Sequence, residues 1–163
     1  MKLSPAHIHL ILNHIPILGT MIFAPLVLGW GLLRRSRDII QAGLLLAIIL
    51  AVTTVPIYLT GEPAEEEIES QPWFSKTLAE THEARAEGGL VAVLITGAGA
   101  LVALWRARKA RPLGVVLPSA VLVGLVISAG FFAAAAVVGG EIRHDEIRAG
   151  PPSATAAESD RRD

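Results

Sequence analysis

The amino-acid sequence predicts an all-α membrane protein that folds as a four-transmembrane-helix up-down bundle. The prediction depends on four long apolar runs, on the absence of Asp, Glu, Lys and Arg within them, and on the short links that join them in pairs. The runs extend from Ile8 to Leu33, Ile39 to Thr60, Gly88 to Trp105 and Leu113 to Gly140. Each is about as long as the roughly 20 residues that a helix needs to cross a hydrocarbon core. Because a soluble core helix rarely lacks charge over this length, a bilayer is favoured.

The first run is predicted to be a retained membrane helix. A secretory signal peptide is the alternative, because Lys2 precedes an apolar stretch. However, the run is too long for a signal peptide and carries Asn13 and His14. It is also followed by Arg34 and Arg35 in place of a small-residue cleavage site.

The distribution of basic residues predicts the orientation in the membrane. The two short links carry seven of them: Arg34, Arg35, Arg37, Arg106, Arg108, Lys109 and Arg111. The long loop over residues 61–87 has two basic residues beside eight glutamates. Since cytoplasmic loops are enriched in Lys and Arg, both short links are predicted to be cytoplasmic. The protein is then a multi-pass protein of the bacterial inner membrane, with its N- and C-termini in the periplasm.

Two further segments complete the predicted domain organisation. Residues 72–86 begin with a proline and place Phe74, Leu78 and His82 on one face, which predicts an interfacial amphipathic helix between spans 2 and 3. Residues 149–163 are rich in proline and small polar residues and are predicted to be a disordered C-terminal tail. The four-helix transmembrane domain is therefore expected to cover residues 1–148.

Histidines and glutamates collect at one predicted membrane face. In an up-down bundle, His14, Glu62, His82, Glu141 and His144 all lie at the outer ends of the helices. His14 is the strongest candidate, because it is about 15 Å along the first helix, where polar side chains usually face the bundle interior. Glu141 and His144 have the Glu-x-x-His spacing that carboxylate-bridged di-metal bundles use. The sequence therefore predicts His14, His82 and His144 as ligands, with Glu62 and Glu141 as ligands or supporting groups.

This set of side chains is compatible with two kinds of cofactor. Imidazoles and carboxylates bind a metal ion such as Fe, Zn, Cu or Mn. Two histidines from different helices can instead hold b-type haem axially. The chain has no cysteine, which excludes disulfides, iron–sulfur clusters, thiolate metal sites and covalently attached c-type haem. The expected function is electron transfer or metal handling, with a redox protein as a possible partner.

Other interpretations stay open at this point. The histidines, above all His7 and His9, can be structural and bond to headgroups or to carbonyls freed by proline. The protein is then a non-catalytic accessory or assembly subunit that docks against other subunits of a membrane complex. A proton-coupled transporter is less favoured, because no charged residue lies within a span. No catalytic residue can be assigned, and the basic residues are accounted for by topology, so nucleic-acid binding has no support.

The chain resembles a group of small bacterial four-span membrane proteins of unknown function. The resemblance covers residues 5–148 and depends on the HxxLNHxPxxG pattern from His9 to Gly19 and on the Gly-Gly element from Gly139 to His144. It implies a four-span domain and a haem or metal at the outer helix ends, and it extends to His14, His82 and His144. The chain is richer in acidic residues near Glu62 and Glu141 than that group, which favours a non-haem metal.

Overall fold

A computed structural model describes residues 3–108 and 114–148, and every regular element in these ranges is a helix. The helices are α1 (Pro5–Leu12), α2 (His14–Leu18), α3 (Ala24–Arg34), α4 (Arg37–Leu59), α5 (Gly61–Ile68), α6 (Lys76–Arg108) and α7 (Val116–Arg143). A π-helical segment, Gly19–Phe23, joins α2 to α3, and a short 3₁₀ helix, Asp145–Ile147, follows α7. The predicted all-helical fold is confirmed for this part of the chain.

Four stretches of helix are long and apolar enough to cross a membrane: Pro5–Arg34, Arg37–Ile68, Lys76–Ala107 and Val116–Arg143. Between 33% and 39% of the most apolar window of each stretch is buried within the protein. Most of the remaining apolar surface therefore needs lipid or another protein against it. This supports a multi-pass membrane protein.

Several finer points remain predictions. Residues 76–86 form the first turns of α6, so they continue directly into the third span, and a separate helix lying along the membrane surface is not confirmed. The up-down arrangement and the orientation also stay predictions. The predicted tail, residues 149–163, lies outside the described residues, as do residues 109–113 of the second short link.

The first span is irregular because Pro16 lies within it. Proline lacks an N–H, so it cannot donate to the carbonyl four residues earlier. The π-helical segment Gly19–Phe23 follows, and within it the buried hydroxyl of Thr20 donates to the carbonyl of Pro16 at 2.7 Å. The side chain thus satisfies a backbone carbonyl inside this irregular region, where lipid offers no hydrogen-bond donor.

Buried hydroxyls in the other spans are satisfied in the same way. Each donates to the carbonyl four residues earlier in its own helix: Thr54 to Leu50 at 2.6 Å, Thr96 to Ala92 at 2.7 Å and Ser128 to Gly124 at 2.8 Å. This bonding removes the cost of an unpaired hydroxyl in an apolar core. Together with Thr20, these three small polar residues are therefore compatible with the apolar packing around Leu28, Leu44, Val93 and Leu125.

The C-terminal end of α7 is held by Arg148. Its guanidinium donates to the carbonyls of Glu141 and Ile142 at 2.7 and 2.9 Å, and to the carbonyl of Trp73 at 2.9 Å. The first two carbonyls belong to the last turn of α7, where acceptors lack helical partners. Trp73 lies in the loop before α6, and its ring also packs against Arg143 at 4.8 Å. Arg148 therefore joins the end of the fourth span to this loop.

Arg148→Ala is expected to lower the free energy of unfolding by about 1 kcal/mol, since these charged hydrogen bonds are partly open to solvent. Arg148→Lys should recover less than half of the loss, because an ammonium group cannot reproduce the planar fork that reaches three carbonyls. Thermal unfolding of the purified protein in detergent measures both effects. Full recovery by lysine would show that only the charge matters.

Candidate functional site

The structure brings two histidines from different spans together. His9 lies in α1 and His82 in the first part of α6, and both side chains are half-buried. Their ring centroids are 6.3 Å apart and the ring planes are inclined by 80°. We call these two residues the histidine pair, and the end of the protein that contains them the histidine end.

The ring of His82 is fixed by a backbone carbonyl of the fourth span. Its Nδ1 lies 2.8 Å from the carbonyl oxygen of Ala135 in α7. A carbonyl only accepts hydrogen bonds, so Nδ1 must carry the proton and donate. In the neutral imidazole the lone pair is then on Nε2. The ring reaches this carbonyl because Gly139 has no side chain: a Cβ there would lie 3.0 Å from Nδ1 of His82.

The ring of His9 is fixed in the same tautomer. Its Nδ1 lies 2.9 Å from the hydroxyl of Thr60, at the end of α4. That hydroxyl donates its only proton to the carbonyl of Ile57 at 2.6 Å, so it must accept from Nδ1 of His9. Nε2 of a neutral His9 therefore also carries a lone pair. Both members of the pair thus have a nitrogen lone pair that can bind a metal or a proton and that accepts no hydrogen bond from residues 3–108 or 114–148.

Other polar groups lie near the histidine pair. Asn13 lies one turn after His9 in the same span, and its side-chain oxygen is buried with no hydrogen-bond donor in reach among the described residues. Glu67 accepts a hydrogen bond from the backbone N–H of Ala6 at 2.8 Å. At least one residue of the glutamate run therefore stabilises the start of α1.

The other two histidines predicted as ligands have different neighbours. The side chain of His14 is exposed, and its Nδ1 lies 2.7 Å from the carbonyl of Leu10 in its own span. His144 follows the end of α7 in an extended conformation, and its Nδ1 lies 2.8 Å from a carboxylate oxygen of Glu146. The side chains of His144 and Glu146 are 58% and 66% exposed, so this contact lies at the surface. Of the three predicted histidines, His82 alone belongs to the histidine pair.

The predicted glutamates have no described role as ligands. Glu62 is exposed in the first turn of α5. Glu141 is half-buried, and its backbone carbonyl accepts a bond from Arg148. Among residues 3–108 and 114–148, no three His, Cys, Asp or Glu side chains are grouped so that they could hold a metal ion. The ligand set His14, His82, His144, Glu62 and Glu141 therefore stays a prediction.

Comparison with known proteins does not assign a family. A scan against protein-family models, a search of curated proteins and a search of solved structures each gave no match. The resemblance noted from the motifs therefore stays an interpretation of the sequence.

His9 and Asn13 are the candidate site residues that the sequence did not select. One signal for them was present, because residues four apart share a helix face and a buried asparagine in a span needs a partner. The role of the glycine at position 139 concerns His82 and was also not expected from the sequence. In the structure α7 continues through Gly139 and Gly140 to Arg143, so the glycine pair does not end the helix there. Gly139 instead leaves room for the ring of His82.

Proposed function

We propose that the protein holds a transition metal between His9 and His82, on the periplasmic side of the bacterial inner membrane, and that it works in electron transfer or metal handling. The metal is either a single ion of Fe, Cu, Zn or Mn or the iron of b-type haem. The observation that carries the proposal is the histidine pair itself, in which both Nδ1 atoms are engaged and neither Nε2 atom has a hydrogen bond among the described residues. Engagement of Nδ1 by an oxygen acceptor is the usual way in which a protein orients a metal-binding histidine.

The separation of the two rings fits a shared metal. An imidazole nitrogen binds zinc at about 2.0 Å, so the ring centroid lies about 3 Å from the ion. Two such rings on opposite sides of one ion have centroids about 6 Å apart, and the observed separation is 6.3 Å. The separation of the two ring centroids is thus compatible with two imidazoles that share one ion.

The number of ligands favours some metals over others. Structural zinc takes four protein ligands and catalytic zinc takes three, whereas the histidine pair supplies two. Haem iron needs protein ligands only at its axial positions, and histidine is a common axial ligand. Haem iron, or an ion that completes its coordination with water or a partner's group, therefore fits the pair better than a closed zinc site. Water access is available because both rings are only half-buried.

The test is cofactor binding by the full chain, purified in a mild detergent. Elemental analysis and the absorption spectrum identify a metal or haem that copurifies, and titration with haemin, Cu²⁺ or Zn²⁺ tests protein that is isolated empty. We expect one equivalent per chain, bound at least tenfold more weakly by His9→Ala and by His82→Ala. His7→Ala is the matched control, because His7 is in the same helix but is exposed and bonds to Ser4.

A second pair of variants tests the position of the ring without removing it. Gly139→Ala places a methyl group 3.0 Å from Nδ1 of His82, whereas at Gly140 the nearest atom would be Ile147 Cδ1 at 3.6 Å, an ordinary contact. Weaker binding by Gly139→Ala and unchanged binding by Gly140→Ala is the expected result. If His14→Ala and His144→Ala abolish binding while His9→Ala does not, the ligand set predicted from sequence is correct and the histidine pair is not the site.

A structural role for the histidines is the second candidate, and one observation favours it. His9 joins α1 to the end of α4, and His82 joins α6 to α7. If the protein binds none of the probes, and His9→Ala and His82→Ala only lower its thermal stability, the histidines hold the spans together. The protein is then better described as an accessory subunit of a larger membrane complex.

A further inference from the structure

A groove on the outer surface of α6 and α7 lies beside the histidine pair, because Arg85, which lines it, follows His82 by about one turn of α6. It has a volume of about 480 Å³ and is lined by Arg85, Ile127, Gly130, Phe131 and Ala134. Arg85 comes from α6 and the other four residues from α7. The lining is thus apolar except for one cation. This combination differs from an ordinary lipid-facing surface, which carries no charge.

Arg85 is held at one end of the groove with donors to spare. One of its terminal nitrogens donates to the carbonyl of Ala134 at 2.9 Å. A guanidinium carries five N–H donors, so this bond leaves several of them available. The described part of the chain shows no carboxylate in an ion pair with Arg85.

The groove runs from the cation towards the middle of the membrane. Arg85 precedes the apolar run that starts at Gly88, so its charge is close to the membrane surface. Ile127 lies seven residues before Ala134 in α7, which corresponds to about 10 Å along the helix axis. Gly130 lies between them, and a Cβ added there would meet no atom within 4 Å. The floor of the groove is therefore open where an acyl chain would pass.

We propose that this groove binds one anionic phospholipid of the leaflet at the histidine end. The phosphodiester accepts hydrogen bonds from the free donors of Arg85, and one acyl chain lies over Gly130 against Ile127 and Phe131. Arginine suits this task because its planar fork matches the geometry of phosphate oxygens. Basic pockets between membrane helices bind lipid headgroups in this way.

The shape of the groove favours a lipid over other occupants. Inorganic phosphate would occupy only the cationic end of the groove and would leave its apolar length of about 10 Å unfilled. A second protein helix would cover Arg85 with apolar side chains and leave its remaining donors without acceptors, which is costly in lipid. A phospholipid supplies both the anion and the hydrocarbon. The inference is independent of the proposed metal function, since it involves other residues and another measurement.

The experiment measures lipid retention by the full chain in detergent, using native mass spectrometry with added phosphatidylglycerol, phosphatidylcholine or inorganic phosphate. Arg85→Gln removes the cation. Gly130→Leu fills the groove, and its Cβ contacts no other atom of the protein. Arg143→Gln is the matched control, because it removes a cation at the same end whose side chain packs on Trp73 outside the groove.

We expect one phosphatidylglycerol per chain, bound at least tenfold more weakly by Arg85→Gln and Gly130→Leu and equally well by Arg143→Gln. Phosphatidylcholine should bind more weakly, and inorganic phosphate should not displace the lipid. Equal retention of phosphatidylglycerol by the wild type and both groove variants would overturn the proposal. It would also be overturned if the wild type were a dimer that Gly130→Leu converts to a monomer, because the groove would then hold a second copy.

Discussion

Gly43→Leu is expected to disrupt the packing of the first two spans and to cause a large loss of stability. A Cβ at position 43 in α4 would lie 2.7 Å from both Cα and Cβ of Leu28 in α3. The obstructing atoms include backbone, so the helices themselves must move apart. Overpacking commonly costs about 1–3 kcal/mol, and we expect the upper end of that range here. Thermal unfolding in detergent, followed by circular dichroism, measures the loss.

Gly29→Leu is the matched control for this prediction. Gly29 lies in the same span as Leu28, but the nearest atom to an added Cβ would be a methyl carbon of Leu122 at 4.0 Å. Position 29 also borders an open apolar groove of about 530 Å³, so a larger side chain has room. The control should unfold within a few degrees of the wild type. Equal losses at both positions would mean that close approach of α3 and α4 is not what stabilises the pair.

Close approach matters more here than in a water-soluble bundle. Lipid tails are as apolar as leucine, so burial of apolar surface between helices gains little in a membrane. Dispersion contacts between backbones brought together by small residues take its place. The turn before α4 helps to set this geometry, because Arg35 adopts the left-handed conformation that ends α3. Arg37 then donates to the carbonyl of Ala107 at 2.6 Å and joins the start of α4 to α6.

The spans could be predicted well from sequence because the cause is local. An uncharged run of sufficient length determines a membrane helix by itself, and the run from Ile39 to Thr60 corresponds closely to Arg37–Leu59. The interfacial amphipathic helix predicted for residues 72–86 was harder to predict. Its periodic apolar face was visible, but residues 76–87 contain no proline or glycine that would bend the chain away from the span. They extend α6 in the structure.

The site could be predicted only in part because it depends on how each helix is rotated. The position of His14 deep in the first span favoured it as a ligand, but that position does not determine which way its ring faces. In the structure its Nδ1 bonds to Leu10 within the same helix. His82 was selected as a ligand, and in the structure it lies beside His9, which was not selected. Its contact with Ala135, 53 residues away, depends on how α6 packs against α7. The periodicity of a sequence shows which residues share one face of a single helix. A site depends on how the faces of several helices are oriented towards one another, and periodicity does not show this.

Asn13→Leu is expected to make the protein more stable and its cofactor binding weaker. The side-chain oxygen of Asn13 is buried without a donor among the described residues, and an unpaired polar group in an apolar environment costs about 1–3 kcal/mol. Leucine removes that cost, so we expect a gain of about 1 kcal/mol after its larger size is accommodated. Thermal unfolding and the titration with haemin or Cu²⁺ measure the two effects on the same preparation.

Thr20→Val separates a functional role of Asn13 from a general effect of polar groups in the first span. Thr20 is buried in the same span, but its hydroxyl already donates to Pro16, so its removal should cost stability slightly and leave binding unchanged. If Asn13→Leu raises stability and weakens cofactor binding, while Thr20→Val does neither, the side-chain oxygen of Asn13 lies at the metal site. There it can accept a hydrogen bond from a water bound to the metal. If Asn13→Leu instead loses stability and binds the cofactor normally, the asparagine is structural, and the site would be the histidine pair without it. The two variants thus distinguish a side chain that supports cofactor binding from one that only fills space in the span.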